Sequence, residues 1–220
     1  MIVNFYNHFS FYIVCGIIFL WGKGQIMKIL KVKKATDYKY LNLYLATLKL
    51  PNGKEKEYQF ASRNKTEKAL LNNMKKWSKK PDAVKILPYT EENGKIYVVF
   101  IRQFRPPIGR SVYEFPAGLV DEGEDYVVAA KRELKEEIGA VVKSIKQVSN
   151  AGYPSTGLSN ESIACFVANV ELTGKQELED MEEIEIVKVE LKDVFKFLKD
   201  RECCVISELL AKLFYYENIK

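Results

Sequence analysis

Apolar and polar positions divide the chain into stretches of different period. From Ile29 to Arg63, three runs alternate with the two-residue period of strands: ILKVKKATDY, YLNLYLATLKL and EKEYQFASR. The tripeptide PNG, Pro51–Gly53, sets a hairpin turn between the last two. These runs predict a small antiparallel sheet. Residues 64–81 are rich in Lys and Asn, with a helical signal in KALLNNMKKW. AVKILPYT and KIYVVFIRQFR then read as strands joined at ENGK, and the second is apolar enough to be central. A helix is predicted over Tyr126–Ile138, where Val127, Ala130, Leu134 and Ile138 recur at helical spacing. VVKSIKQVSNAGYP and ESIACFVANVEL read as strands around the loop PSTGLSN. The acidic run QELEDMEEIE leads into a last strand, IEIVKVEL, and two amphipathic helices in KDVFKFLKD and VISELLAKLFYY. Strands, one marked helix, more strands and then helices predict an α+β or α/β/α layered domain with a mixed sheet.

Three sections follow from this reading: residues 1–26, an N-terminal β subdomain over 27–80, and the main domain over 81–220. Residues 1–26 stand apart. Phe9–Trp21 is an apolar and aromatic run of 13 residues, where a membrane span takes about 20. It has neither the basic flank nor the small-residue cleavage site of a signal peptide. The expectation is a reading frame that starts at Met27, where the strand pattern begins. A membrane anchor and an added packing element are the alternatives.

Composition narrows the chemistry. With 47% hydrophobic and 29% charged residues, the chain is ordinary for a globular protein. Its net charge of +5 is spread along the sequence, so no nucleic-acid partner is expected, and neither is a membrane partner. The cysteines, Cys15, Cys165, Cys203 and Cys204, form no CxxC pair, which fits a reduced, cytoplasmic chain. His8 is the only histidine. Ser-His-Asp triads, Cys-His pairs and His-rich zinc sites are thereby set aside. Chemistry falls to carboxylates, Lys, Arg, Tyr or a metal held through oxygen.

The segment Gly118–Ala140, GLVDEGEDYVVAAKRELKEEIGA, concentrates those carboxylates. Asp125 is placed to cap the predicted helix, and Gly139 to end it. Glu133, Glu136 and Glu137 stand at i, i+3 and i+4, on a face other than the apolar stripe. Magnesium takes oxygen ligands and bridges to phosphates, and such a helix after a glycine-containing loop suits it. A solvated acidic helix with pairs such as Arg132–Glu136 suits the same spacing, and spacing alone does not separate the two.

The segment resembles the Nudix box. That pattern is a glycine, five residues, a glutamate, seven residues, then Arg-Glu-apolar, any residue, Glu-Glu, any residue, and Gly-apolar. Gly118, Glu124, Arg132, Glu133, Leu134, Glu136, Glu137 and Gly139 fill it, with Ala140 smaller than usual at the last place. The resemblance implies the Nudix fold, a mixed sheet between helices. It implies hydrolysis of a nucleoside diphosphate linked to another moiety, with Mg²⁺ as cofactor and Mn²⁺ as a substitute. Carried over, Glu133 and Glu137 look like the principal metal ligands, Glu136 a further one, and the Ala117 carbonyl a backbone ligand. Arg132 resembles the arginine that orients the glutamates.

The flanks are similar to the ADP-ribose pyrophosphatase branch. IRQFRPPIGRSVYEFPAG resembles its upstream pattern, and AGYPSTGLSNE is a looser match to its downstream loop, with Thr156 in place of a proline. By that analogy Arg102 and Arg105 are phosphate-binding candidates, Glu114 a nucleotide or ribose contact, and Phe60 an aromatic that stacks on adenine. Arg63 is a further phosphate candidate. The resemblance also implies a catalytic base from the acidic loop, with Glu182 preferred over Glu179 and Asp180. The partner implied is a nucleoside diphosphate sugar, with ADP-ribose first and GDP-mannose or ADP-glucose as alternatives. A non-catalytic ADP-ribose sensor is the alternative of a different class. The branch also implies a homodimer built through the N-terminal sheet.

Overall fold

The computed structural model describes residues 26–75 and 78–219, together with the backbone of two short strands ahead of them. His8 and Cys15 lie outside the described residues. The chain forms two compact units, residues 1–75 and 76–220.

In the first unit, β1 (Phe9–Val14) and β2 (Ile17–Gly22) pair antiparallel. Among the described residues, no helix is long and apolar enough to cross a membrane. Strands β3 (Lys28–Lys34), β4 (Asn42–Lys49) and β5 (Glu55–Ser62) form an antiparallel sheet in chain order. The PNG turn closes it with Gly53 at φ +82°, a conformation open to glycine, and a 2.8 Å bond from Leu50 N to Lys54 O. Helix α1 (Glu67–Met74) is capped by Thr66, whose hydroxyl accepts from Ala69 N. Val32, Tyr44, Ala46, Phe60 and Leu70 form the core of this unit.

The second unit contains β6 (Ala83–Glu92), β7 (Lys95–Arg105), β8 (Arg110–Glu114), β9 (Ala117–Leu119), α2 (Tyr126–Ile138), β10 (Ala140–Gln147), β11 (Ile163–Leu172), β12 (Ile184–Glu190), α3 (Val194–Lys199) and α4 (Val205–Asn218). Its sheet runs β10-β11-β6-β7-β12, with β8 added to β7 and β9 to β6. β11 and β6 are parallel and the other pairs antiparallel, so the sheet is mixed. Helix α2 covers one face and α3 with α4 the other. Along β7, Val99 and Ile101 enter the α2-side core, while Val98 and Phe100 enter the α4-side core. Period-2 alternation between two buried faces explains why this strand reads as continuously apolar. The fold is α+β.

Two elements differ from expectation. The run beginning VVKSIKQ leaves the sheet at Gln147. There Val148 N and Ser149 N both turn to the Cys165 carbonyl, at 2.9 and 3.3 Å. Strands β8 and β9 carry no clear alternation. They are short, split by Pro116 and preceded by a turn through Pro106–Ile108 that ends at Gly109 with φ +66°.

Candidate active site

Helix α2 is fixed at both ends. Asp125 accepts from Val127 N at 2.8 Å and from Val128 N at 3.3 Å. At the other end Gly139 adopts φ +60°, and a Cβ there would lie 2.5 Å from the Lys175 carbonyl oxygen. Gly139→Ala therefore meets two obstacles, a left-handed backbone and rigid main chain. The expected loss is about 1–3 kcal/mol, seen as a lower melting temperature, with turnover per folded molecule retained. An unchanged melting temperature would contradict this account of the helix end.

Apolar residues Ala129, Ala130, Leu134 and Ile138 face the core, but so do two of the glutamates. Glu133 is 8% exposed and Glu137 only 2%, whereas Glu136 is half-buried. The expectation of three carboxylates on one shared face separate from the buried stripe is corrected: Glu133 and Glu137 lie at the inner edge of that stripe. For Glu133 the reason is Gly118. A Cβ on it would fall inside the volume of the Glu133 carboxylate, so the bare backbone of β9 makes the space that the carboxylate fills.

Arg132 gathers the acids around it. Its Nε and one terminal nitrogen form a fork onto Glu124, each at 3.0 Å. The other terminal nitrogen donates to Glu133 at 2.6 Å and Glu136 at 3.1 Å, and Leu119 O takes a further bond at 3.0 Å. These bonds hold Glu124 below the usual carboxylate range and raise Arg132, chiefly through Glu124. Burial nevertheless pushes Glu133 up against the opposing pull of Arg132, and Glu136 and Glu182 add to the rise. Burial pushes Glu137 far higher, helped by the charges of Glu133 and Glu182 and opposed by Lys85. One oxygen of Glu137, Oε2, is buried with no hydrogen-bond partner.

This donor set fits a hard divalent cation. Two buried carboxylates resist ionisation, and one presents an orphaned oxygen, which is the chemistry that Mg²⁺-type ions relieve. Among the described residues no three acidic, Cys or His side chains already form a closed metal cage. The Arg132 guanidinium occupies oxygens of Glu133 and Glu136 instead.

The acidic loop docks on the end of α2. Gln176 donates to the Glu137 carbonyl at 2.6 Å, and Glu177 N to the Glu136 carbonyl at 2.8 Å. Within this loop Glu182 is half-buried, while Glu179, Asp180 and Glu183 are exposed. The charge of Glu182 reaches both Glu133 and Glu137.

Arg105 and Arg102 separate, because residues three apart on a strand point to opposite faces. Arg105 Nε donates to Glu114 at 2.6 Å, and its charge couples to Glu137. Arg102 makes an exposed cross-strand pair with Glu185 at 3.4 Å. Glu114 is 4% exposed. Burial pushes it up, but Arg105 and Lys85 together outweigh this and hold it below its usual range. Ala117 opens β9, one residue before Gly118. Phe60 and Arg63 belong to the N-terminal unit. Phe60 is 8% exposed and its ring stacks on Tyr44 in the core of that unit. Arg63 reaches the Tyr40 carbonyl at 3.5 Å.

Two buried polar residues of the second unit are absent from the candidates that the sequence suggests. Lys85 on β6 is buried and donates to Glu114 and to the Phe115 carbonyl. Gln103 on β7 is buried with Oε1 unpartnered. The available signal for Lys85 was a lone lysine inside the otherwise apolar AVKIL, on a strand buried on both faces. Cys165, Cys203 and Cys204 are free thiols. Burial, then Cys204, pushes Cys203 up to about 12, so it is a poor nucleophile.

A mixed sheet between helix layers, with a glycine-framed acidic helix against it, defines the class. Residues 79–204 match the NUDIX domain model, and the chain belongs to the NUDIX family. Among its relatives is an ADP-ribose pyrophosphatase of Bacillus subtilis, 34% identical over 166 residues, covering 74% of this chain and 78% of that protein. An ADP-ribose pyrophosphatase of Saccharomyces cerevisiae is 34% identical over 180 residues, covering 77% and 74%. A solved structure described as an ADP compounds hydrolase aligns with TM-score 0.66 at 18% identity, over 90% of this chain and 97% of that one.

Proposed function

We propose that this chain hydrolyses the pyrophosphate bond of ADP-ribose to AMP and ribose 5-phosphate, with Mg²⁺ as cofactor. The observation that carries the reading is the buried, unpartnered oxygen of Glu137 beside Glu133. The relatives named ADP-ribose pyrophosphatase support the choice of substrate. Glu133, Glu137, Glu136 and the Ala117 carbonyl would hold the cation. When bound, it supplies charge neutralisation for the pyrophosphate. Arg105, oriented by Glu114, binds a phosphate oxygen. Glu182 takes the proton from the attacking water as the new P–O bond forms and the bridging P–O bond breaks. Gly118, by admitting the Glu133 carboxylate, keeps that acid at the reaction centre.

A panel of ADP-ribose, ADP-glucose and GDP-mannose, each with Mg²⁺ and with chelator, tests this. The expected result is the highest kcat/KM for ADP-ribose and no turnover with chelator. Hydrolysis of none of the three would sink the enzyme reading and leave ADP-ribose sensing as its successor. The same reading includes a cytoplasmic homodimer. Exposed apolar residues on the N-terminal sheet, Ile29, Leu30 and Leu43, support the dimer. A monomeric sedimentation profile with activity retained would contradict it.

A further inference from the structure

Lys85 is the buried charge that the proposed chemistry does not use. A lysine 4% exposed in the middle of a sheet is stable only when paired. Its ammonium donates to Glu114 Oε2 at 3.1 Å and to the Phe115 carbonyl at 3.2 Å. Glu114 offers its other oxygen, Oε1, to Arg105 Nε. Each oxygen of this buried carboxylate is therefore held by a different cation, and the carboxylate cannot rotate without breaking one bond. Arg105 keeps 40% of its side chain exposed, and among the described residues its terminal nitrogens have no hydrogen-bond partner. They form a donor edge aimed by the Nε bond.

We propose that Lys85 is a positioning residue, which locks Glu114 and through it sets the angle at which Arg105 meets a substrate phosphate. The proposal rests on the reading of these residues as part of a nucleoside diphosphate site. Without Lys85, Glu114 is free to turn both oxygens onto the guanidinium, since Arg and carboxylate prefer the two-bond fork. That turn redirects the donor edge. The backbone at this point has supports of its own. Phe115 N donates to Ser207 at 3.0 Å, Cys204 N to the Tyr113 carbonyl at 2.9 Å, and Ile86 N to the Pro116 carbonyl at 2.9 Å. The effect of Lys85 falls on the Glu114 side chain more than on the chain path.

The test uses the full chain and two readouts. Calorimetry with ADP in the presence of chelator measures the Arg105 edge without metal, for wild type, Lys85→Met, Glu114→Gln and the double variant. Steady-state hydrolysis of ADP-ribose separates KM from kcat. Each single variant is expected to weaken ADP about tenfold. The double variant should weaken it no more than the worse single, because both changes cut one link. KM should rise by a similar factor, with kcat within about threefold. Folded Lys85→Met with unchanged ADP affinity overturns the proposal, as do losses that simply add, or a wild type that binds no ADP without metal. If Lys85→Met does not fold, Lys85→Gln, which keeps Glu114 intact and removes only the ammonium, decides by the same tenfold criterion. A wild type that binds ADP through this link but hydrolyses no nucleoside diphosphate sugar supports the link and defeats the enzymatic reading. Hydrolysis with ADP affinity indifferent to Lys85 does the reverse.

Discussion

Glu137→Gln is expected to lower kcat about 10³-fold while making the metal-free protein more stable at pH 8. The two effects have one origin. The carboxylate is almost wholly buried, and its Oε2 has no donor. Burial and the neighbouring charges of Glu133 and Glu182 oppose its ionisation. A neutral amide of the same shape removes the unfavourable charge, worth about 1 kcal/mol or more for an unsatisfied buried group. It also removes one of the carboxylates proposed to hold the cation that neutralises the pyrophosphate, a change on the order of 10³ in rate.

The sign of the pH dependence follows. A carboxyl whose folded pKa lies above its ordinary 4.5 is protonated more readily in the folded state. Its contribution to stability is full below 4.5 and is lost as pH rises through the folded value. Glu124 and Glu114 run the other way, since their lowered values favour the folded state above the ordinary range and fail as pH falls. Subtracting the Glu137→Gln melt curve from that of wild type cancels Glu124 and leaves Glu137 with the charges coupled to it, Glu133, Glu182, Lys85 and Glu114. Without metal, the variant's advantage should vanish near pH 4.5 and grow as pH increases. Added Mg²⁺ should raise the melting temperature of wild type and leave the variant nearly unmoved. Parallel pH slopes for the two proteins would refute the assignment of strain to Glu137.

The elements most legible in the sequence are those whose period and caps agree. Helix α2 was readable to the residue, because Asp125, the 3.6-residue stripe and Gly139 specify the same limits. The mixed sheet followed from the order of strands and helices. What periodicity could not convey was depth. The i, i+3, i+4 spacing placed Glu133, Glu136 and Glu137 together, but a helix face alone does not say that two of them are buried. For Glu133 that depends on β9, a strand of three residues crossing at Gly118. Lys85 was hidden for a related reason. Its partners Glu114 and Phe115 are 29 and 30 residues away and meet it only through sheet pairing. Arg102 and Arg105 looked equivalent as a pair in QFR-type sequence, and strand alternation divides them. Phe60 packs on Tyr44, its register partner on the neighbouring strand, a contact that no single strand's sequence displays.

Gly118→Ala separates function from stability at the same carboxylate. The added methyl would take the space of the Glu133 side-chain end, not of main chain. A flexible side chain can rotate aside, so the folding cost is small and the melting temperature should fall by only a few degrees, on the order of 1 kcal/mol. The displaced carboxylate, however, leaves its place beside Glu137 and breaks its 2.6 Å bond to Arg132. Misplacement of about 1 Å at a catalytic group costs about 10²-fold, and here the carboxylate proposed as a metal ligand is moved by at least a methyl radius. The expected outcome is kcat/KM lower by about 10²-fold or more, with a higher Mg²⁺ concentration for half-maximal rate. Gly139→Ala, at the other end of the same helix, should give the opposite pattern, because its methyl meets the Lys175 backbone and a positive φ. Measuring melting temperature and kcat/KM for both variants side by side makes the contrast the test. If Gly118→Ala loses stability as Gly139→Ala does, or keeps full activity, Glu133 is not held at the reaction centre by the absence of a side chain on β9.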